Sequence, residues 1–168
     1  MQCIHCGREM GDGDTFCPGC GKKQVVTYQE VFVRNGLSEQ DFIDNINKWF
    51  QYHPRVANVS CTFGLDTATG LLANKYVMNQ FVIRYELFER DNENQYGLVK
   101  AEKMGLAKTD ATAFVGEWQR ARPNVQIVNW KGGTHARGHI ASHMLGGLGA
   151  RNQLNVYILF KFPRNQQG

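Results

Sequence analysis

Two Cys-x-x-Cys pairs at the start of the chain constrain it more than any other feature. The segment reads Cys3-Ile-His-Cys6, ten further residues, then Cys17-Pro-Gly-Cys20. Each pair turns two thiols toward one point, and zinc takes four such ligands in a tetrahedron. Gly7 and Gly21 follow the two pairs and supply the positive φ that closes such a turn. Residues 1–24 are too few to enclose an apolar core, so a metal must take that role. With four thiolates the site is closed, which makes it structural rather than catalytic. A redox reading of Cys-x-x-Cys asks for a neighbouring βαβ pattern, and the sequence has none. One Zn²⁺ on Cys3, Cys6, Cys17 and Cys20 is therefore expected, with His5 spare inside the first knuckle.

Phe16 before the second pair, together with the paired knuckles, makes residues 1–24 resemble the double-knuckle zinc ribbons at the N-termini of many bacterial proteins. That resemblance implies zinc binding and an interaction module. It implies no single activity.

The remainder, residues 25–168, is read as one α+β domain built by duplication. Gly36-Leu37 recurs as Gly105-Leu106, Trp49 as Trp118, Pro54 as Pro123, Val56 as Val125 and Val59 as Val128, always 69 positions apart. The copies run from about 27 to 90 and from 96 to 163. Each reads as strand, helix, strand, strand. In the first, Ser38 offers an N-cap with Asp41 three residues on. Phe42, Ile46, Trp49 and Phe50 then recur at helical spacing until Pro54. Phe81, Ile83, Tyr85 and Leu87 alternate with Val82, Arg84 and Glu86, a half-buried strand. In the second, Thr109 or Asp110 caps a helix carrying Phe114, Val115 and Trp118. The two units are expected to merge into one mainly antiparallel sheet with both helices on one face. This element order is similar to that of duplicated domains such as the GyrI-like family, which implies small-molecule binding. The two tryptophans read as core packing rather than a ligand cage.

Charge is uneven. After Glu117 no acidic side chain follows, while seven Lys and Arg residues do, which points to an anionic partner. No apolar run reaches the length of a membrane span, and the Met1-Gln2-Cys3 start shows no signal segment. A cytoplasmic location is expected, which suits cysteines held for metal.

Two long connections separate the second and third strands of the copies, Gly64–Asn79 and Lys131–Gln153. The second holds the candidate site residues. Lys131, Gly132, Gly133, Arg137 and Arg151 form a candidate anion cradle of backbone N–H groups and cations. His135, His139 and His143 fall four apart and would line a helix as a candidate second metal site. Ile140, Met144, Leu145 and Leu148 offer an apolar stripe for docking instead. Trp130, Tyr157 and Phe160 lie among Lys131, Lys161 and Arg164, a pattern that suits base stacking beside phosphates. Against it, Phe160 and Phe162 alternate inward with Val156 and Ile158 and read as core. Cys61 reads as a buried small hydrophobe.

These features favour a non-enzymatic binding or adaptor protein whose basic C-terminal half meets nucleic acid or an acidic protein surface. The alternatives are a small-molecule sensor with a structural ribbon, and a metal-dependent enzyme on the histidine row. That enzyme would need a second metal, or a carboxylate such as Glu86, Glu117 or Asp66 brought to the row.

Overall fold

The computed structural model describes all residues except 4, 12, 71–72, 106–109, 138–150 and 165–168. Side chains of 67–70, 73–75, 104–105, 134–137 and 151–152 also lie outside the description. Behind the N-terminal ribbon, copy one folds as β1 (Tyr28–Val33), α1 (Glu39–Tyr52), β2 (Val56–Gly70) and β3 (Ala73–Leu87). Copy two folds as β4 (Asn94–Gly105), α2 (Ala111–Arg120), β5 (Gln126–Arg137) and β6 (Arg151–Pro163). In both copies the last strand lies in the middle, giving antiparallel sheets β1-β3-β2 and β4-β6-β5. Both second strands bulge at the aligned place, around Val59 between Ala57 and Ser60, and around Val128 between Ile127 and Asn129.

Local chemistry explains the helix ends. The Ser38 hydroxyl accepts from the Asp41 N–H at 3.1 Å, and α1 stops at Tyr52, ahead of Pro54. Asp110, not Thr109, caps α2 through the Thr112 N–H at 2.9 Å.

Two expectations are corrected. The strands form two three-stranded sheets rather than one merged sheet. The edges β2 and β5 meet through side chains: the Asn129 amide donates to the Cys61 carbonyl at 3.1 Å, and the Lys131 ammonium to the Phe63 carbonyl at 3.2 Å. The helices also lie on opposite faces of the second sheet. Tyr96, Leu98, Tyr157 and Leu159 join the core of α1 and the first sheet, while Leu154, Val156 and Ile158 pack with Val115 of α2. Alternation along β6 accounts for this, since neighbouring residues face opposite ways. The second sheet thus packs on both sides, and its central strand β6 carries the apolar stretch Val156 to Phe160 that this requires.

The first supposed connection is largely strand, and so are the described ends of the second. Gly64 to Gly70 pairs with Ala73 to Gln80, and Lys131 to Arg137 pairs with Tyr157 to Arg151. Both copies therefore extend their second and third strands into long hairpin arms.

A zinc site and a basic hairpin

The four cysteine sulfurs converge, all within 4.8 Å of one another. Cys3 and Cys20 sulfurs are 3.7 Å apart, and those of Cys6 and Cys17 3.6 Å. Zn–S bonds of about 2.3 Å in a tetrahedron require sulfurs about 3.8 Å apart, so the donor set fits zinc. Residues 2–24 match the family model of the zinc-ribbon domain. This segment is a zinc ribbon. No curated protein and no solved structure matches the chain.

The ribbon is itself two copies of one knuckle, 14 positions apart. The Gly7 N–H donates to the Cys3 carbonyl at 2.9 Å, and the Gly21 N–H to the Cys17 carbonyl at 2.8 Å. The Cys3 N–H reaches the Arg8 carbonyl, as the Cys17 N–H reaches that of Lys22. Amides of His5 and Gly19 each donate to the first sulfur of their knuckle at 3.3 Å. Gly7 and Gly21 hold φ of 71° and 67°, the left-handed turn expected after each pair. The first cysteine of each knuckle, Cys3 and Cys17, is buried; Cys6 and Cys20 are exposed. Gln24, itself buried, adds an amide to the Cys3 sulfur at 3.4 Å. His5 contributes its backbone N–H; all four ligand positions belong to cysteine.

Thiol acidity follows this geometry. Burial pushes the Cys3 thiol up, but amides of His5 and Cys6 and the thiols of Cys6 and Cys17 pull it down further, to about 6. At Cys6 the Arg8 amide pulls down, yet the surrounding thiols and burial push the group up to about 11. One thiolate discourages the next until a cation neutralises them, which is why such ligands lose their protons as metal binds.

The candidate anion cradle is rearranged. Gly132 and Gly133 are strand residues opposite Val156 and Asn155. Gly132 answers to packing, since a Cβ there would lie 2.2 Å from the Asn155 carbonyl oxygen; a Cβ at Gly133 would make an ordinary contact with the Tyr76 ring at 3.4 Å. Lys131 is tied to Phe63 across the sheet junction. Arg137 and Arg151 remain as direct cross-strand partners at the end of the described hairpin.

Of the histidine row, His135 is placed in a strand rather than on a helix. His135 lies in β5 opposite Gln153, and a strand does not share the four-residue period. His139 and His143 lie outside the described residues, as do Ile140, Met144, Leu145 and Leu148. The carboxylates named as possible companions have other partners: Glu86 takes the Asn58 amide at 2.7 Å, Glu117 the Lys103 ammonium at 3.1 Å, and Asp66 the Asn79 amide. The stacking pattern also fails. Tyr157 is fully buried, and Trp130 and Phe160 pack in the α2 core.

Trp49 packs edge-on against Phe32, Phe50 and Tyr85, and Trp118 tilts onto Phe160, so both tryptophans belong to packing. Burial pushes the Cys61 thiol up to about 11, and the side chain lies against the main core. Cys61 is a small apolar filler.

Sequence reasoning missed a polar cluster between the copies. The Tyr157 hydroxyl donates to Glu39 at 2.5 Å and accepts the Met78 N–H at 3.1 Å. Lys100 pairs with Glu39 and Glu102, both at 2.5 Å. Burial pushes the Tyr157 hydroxyl far up, and Glu39 adds to it. Glu39 stands in the first turn of α1, where the helix dipole favours an anion. These residues are far apart in sequence and polar in type, so no pattern marks them. A second feature missed is a cleft of about 580 Å³ between ribbon and first sheet, bordered by Val25, Val26, Tyr28, Leu87 and Phe88.

Proposed function

We propose that this is a cytoplasmic, non-enzymatic binding or adaptor protein whose ribbon is a rigid zinc-held knob and whose second hairpin meets an anionic partner. The observation that carries this reading is the pairing of Arg137 with Arg151. That register brings two arginines of the acid-free C-terminal stretch to one end of the hairpin, and a concentration of positive charge favours an anionic partner. The absence of any acidic residue after Glu117 adds to it. Among the described residues Tyr157 is buried, and Trp130 and Phe160 pack in the α2 core. Recognition by charge alone, as with an acidic protein surface, therefore fits better than base stacking on single-stranded nucleic acid. No helix among the described residues is long and apolar enough to cross a membrane.

The test is fluorescence anisotropy with labelled polyglutamate and a labelled single-stranded oligonucleotide, each over a salt series. Polyglutamate should bind, weaken as salt rises, and lose roughly tenfold in affinity in Arg137→Ala/Arg151→Ala. Preference for the oligonucleotide would make the partner nucleic acid, and the double variant should then flatten the salt slope by about 1.4. Binding of neither probe would sink the charge reading. The sensor reading would then lead, because the ribbon–sheet cleft of about 580 Å³ has the size of a small-ligand site.

A further inference from the structure

Among the described residues, three of the four sheet edges take part in side-chain hydrogen bonds to backbone groups, and the β1 edge does not. The β2 and β5 edges meet each other through Asn129 and Lys131. The β4 edge is contacted by α1 at Leu98: the Asn47 side chain accepts from the Leu98 N–H at 2.7 Å and donates to the Leu98 carbonyl at 2.9 Å. At β1 nothing comparable occurs among the described residues. The Arg34 N–H reaches the Asn79 carbonyl at 2.9 Å, and the register runs from there back to Tyr28 opposite Tyr85. Antiparallel pairing alternates, so Tyr28, Glu30 and Phe32 bond to β3, while the N–H and C=O of Gln29, Val31 and Val33 point outward. The strand has no proline, lysine or bulge to protect it, and Val31 and Val33 are 45% and 48% exposed.

We propose that β1 pairs with β1 of a second copy of this chain, antiparallel about a two-fold axis at Phe32. In that register Val31 and Val33 exchange backbone bonds with the partner's Val33 and Val31, and each valine covers the other. Glu30 stands opposite the partner's Arg34, once on each side of the axis. Neither Glu30 nor Arg34 has an ion-pair partner among the described residues. The strand is therefore complementary to itself in both charge and apolar surface, as a closed two-fold interface requires. The pairing joins two three-stranded sheets into one continuous sheet across the dimer.

Sedimentation equilibrium on the zinc-loaded full chain tests this. Wild type should be a dimer in reversible equilibrium. Val31→Lys/Val33→Lys, at exposed positions, should keep the circular dichroism spectrum and zinc content and weaken dimerisation by a hundredfold or more, to a monomer. Arg34→Glu should weaken it roughly tenfold, and Glu30→Arg/Arg34→Glu should restore it. A wild type that stays monomeric at every soluble concentration overturns the proposal. So does a dimer that the lysine pair leaves intact.

Discussion

Two regions of the chain repeat a pattern, and they do so in different ways. The knuckles of the ribbon repeat bond for bond: the same amides meet the same carbonyls and sulfurs, and both closing glycines take the same turn. The β-α-β-β copies repeat only in order. They share strand pairing and bulge position, yet α1 buries Phe42, Ile43, Ile46 and Phe50, whereas α2 buries Val115 alone. A tetrahedral ion imposes its own symmetry on whatever holds it, because each sulfur has one allowed distance and direction. Apolar packing demands filled volume and nothing more, so two copies can part company while each keeps its topology.

The largest effect should come from breaking the metal-held pair. Cys17→Ser, or removal of zinc by a strong chelator, forfeits a binding free energy of about 10–16 kcal/mol, which is the ribbon's folding energy. Hydrogen exchange should then show the Cys3, Gly7, Cys17 and Gly21 amides losing protection together. The urea transition of the α+β domain should barely move, because its cores contain no ribbon residue. If the domain transition moves with the metal, the two duplications are not energetically separate.

Core truncation probes the second duplication. Phe50→Ala should cost about 3–5 kcal/mol, since the ring is 2% exposed and packs across both sheets. Phe114→Ala, on the other helix, removes a partly buried ring under Lys103 and should cost about 1–2 kcal/mol. Equal losses in urea denaturation would mean that the copies carry equal shares of the core after all.

How far the sequence reveals each duplication follows from the same contrast. The metal site is legible to the residue, because ligand type, spacing and the glycine turns are all local. Helix caps at Ser38 and Asp110 and the stop at Pro54 are legible for the same reason. The sheet arrangement is not. Whether β2 and β5 fuse depends on Asn129 and Lys131 reaching carbonyls 68 positions away, and neither side chain announces that. Glycines at 132 and 133 look like a phosphate loop in sequence, but both lie in β5, and Gly132 serves the close approach of the Asn155 carbonyl. The Glu39–Lys100–Tyr157 cluster is assembled from three elements, and polar residues carry no periodicity that would group them.

The sharpest comparison lies at one aligned pair of helix positions. Asn47 of α1 closes both backbone groups of Leu98, and 69 residues on Gly116 stands at the matching place in α2 with no side chain to do so. Asn47→Ala strands a partly buried N–H and C=O and should cost about 2–3 kcal/mol. Gly116→Ala should act in the opposite direction. Its new Cβ would meet only the Arg120 guanidinium, at an ordinary 3.7 Å, and alanine is favoured over glycine in a helix interior. A gain of about 0.5–1 kcal/mol is expected, read as a higher urea midpoint with an unchanged slope. A loss at Gly116 would mean that the glycine serves a close approach, as Asn47 serves an edge. The copies would then be alike in using this position for contact.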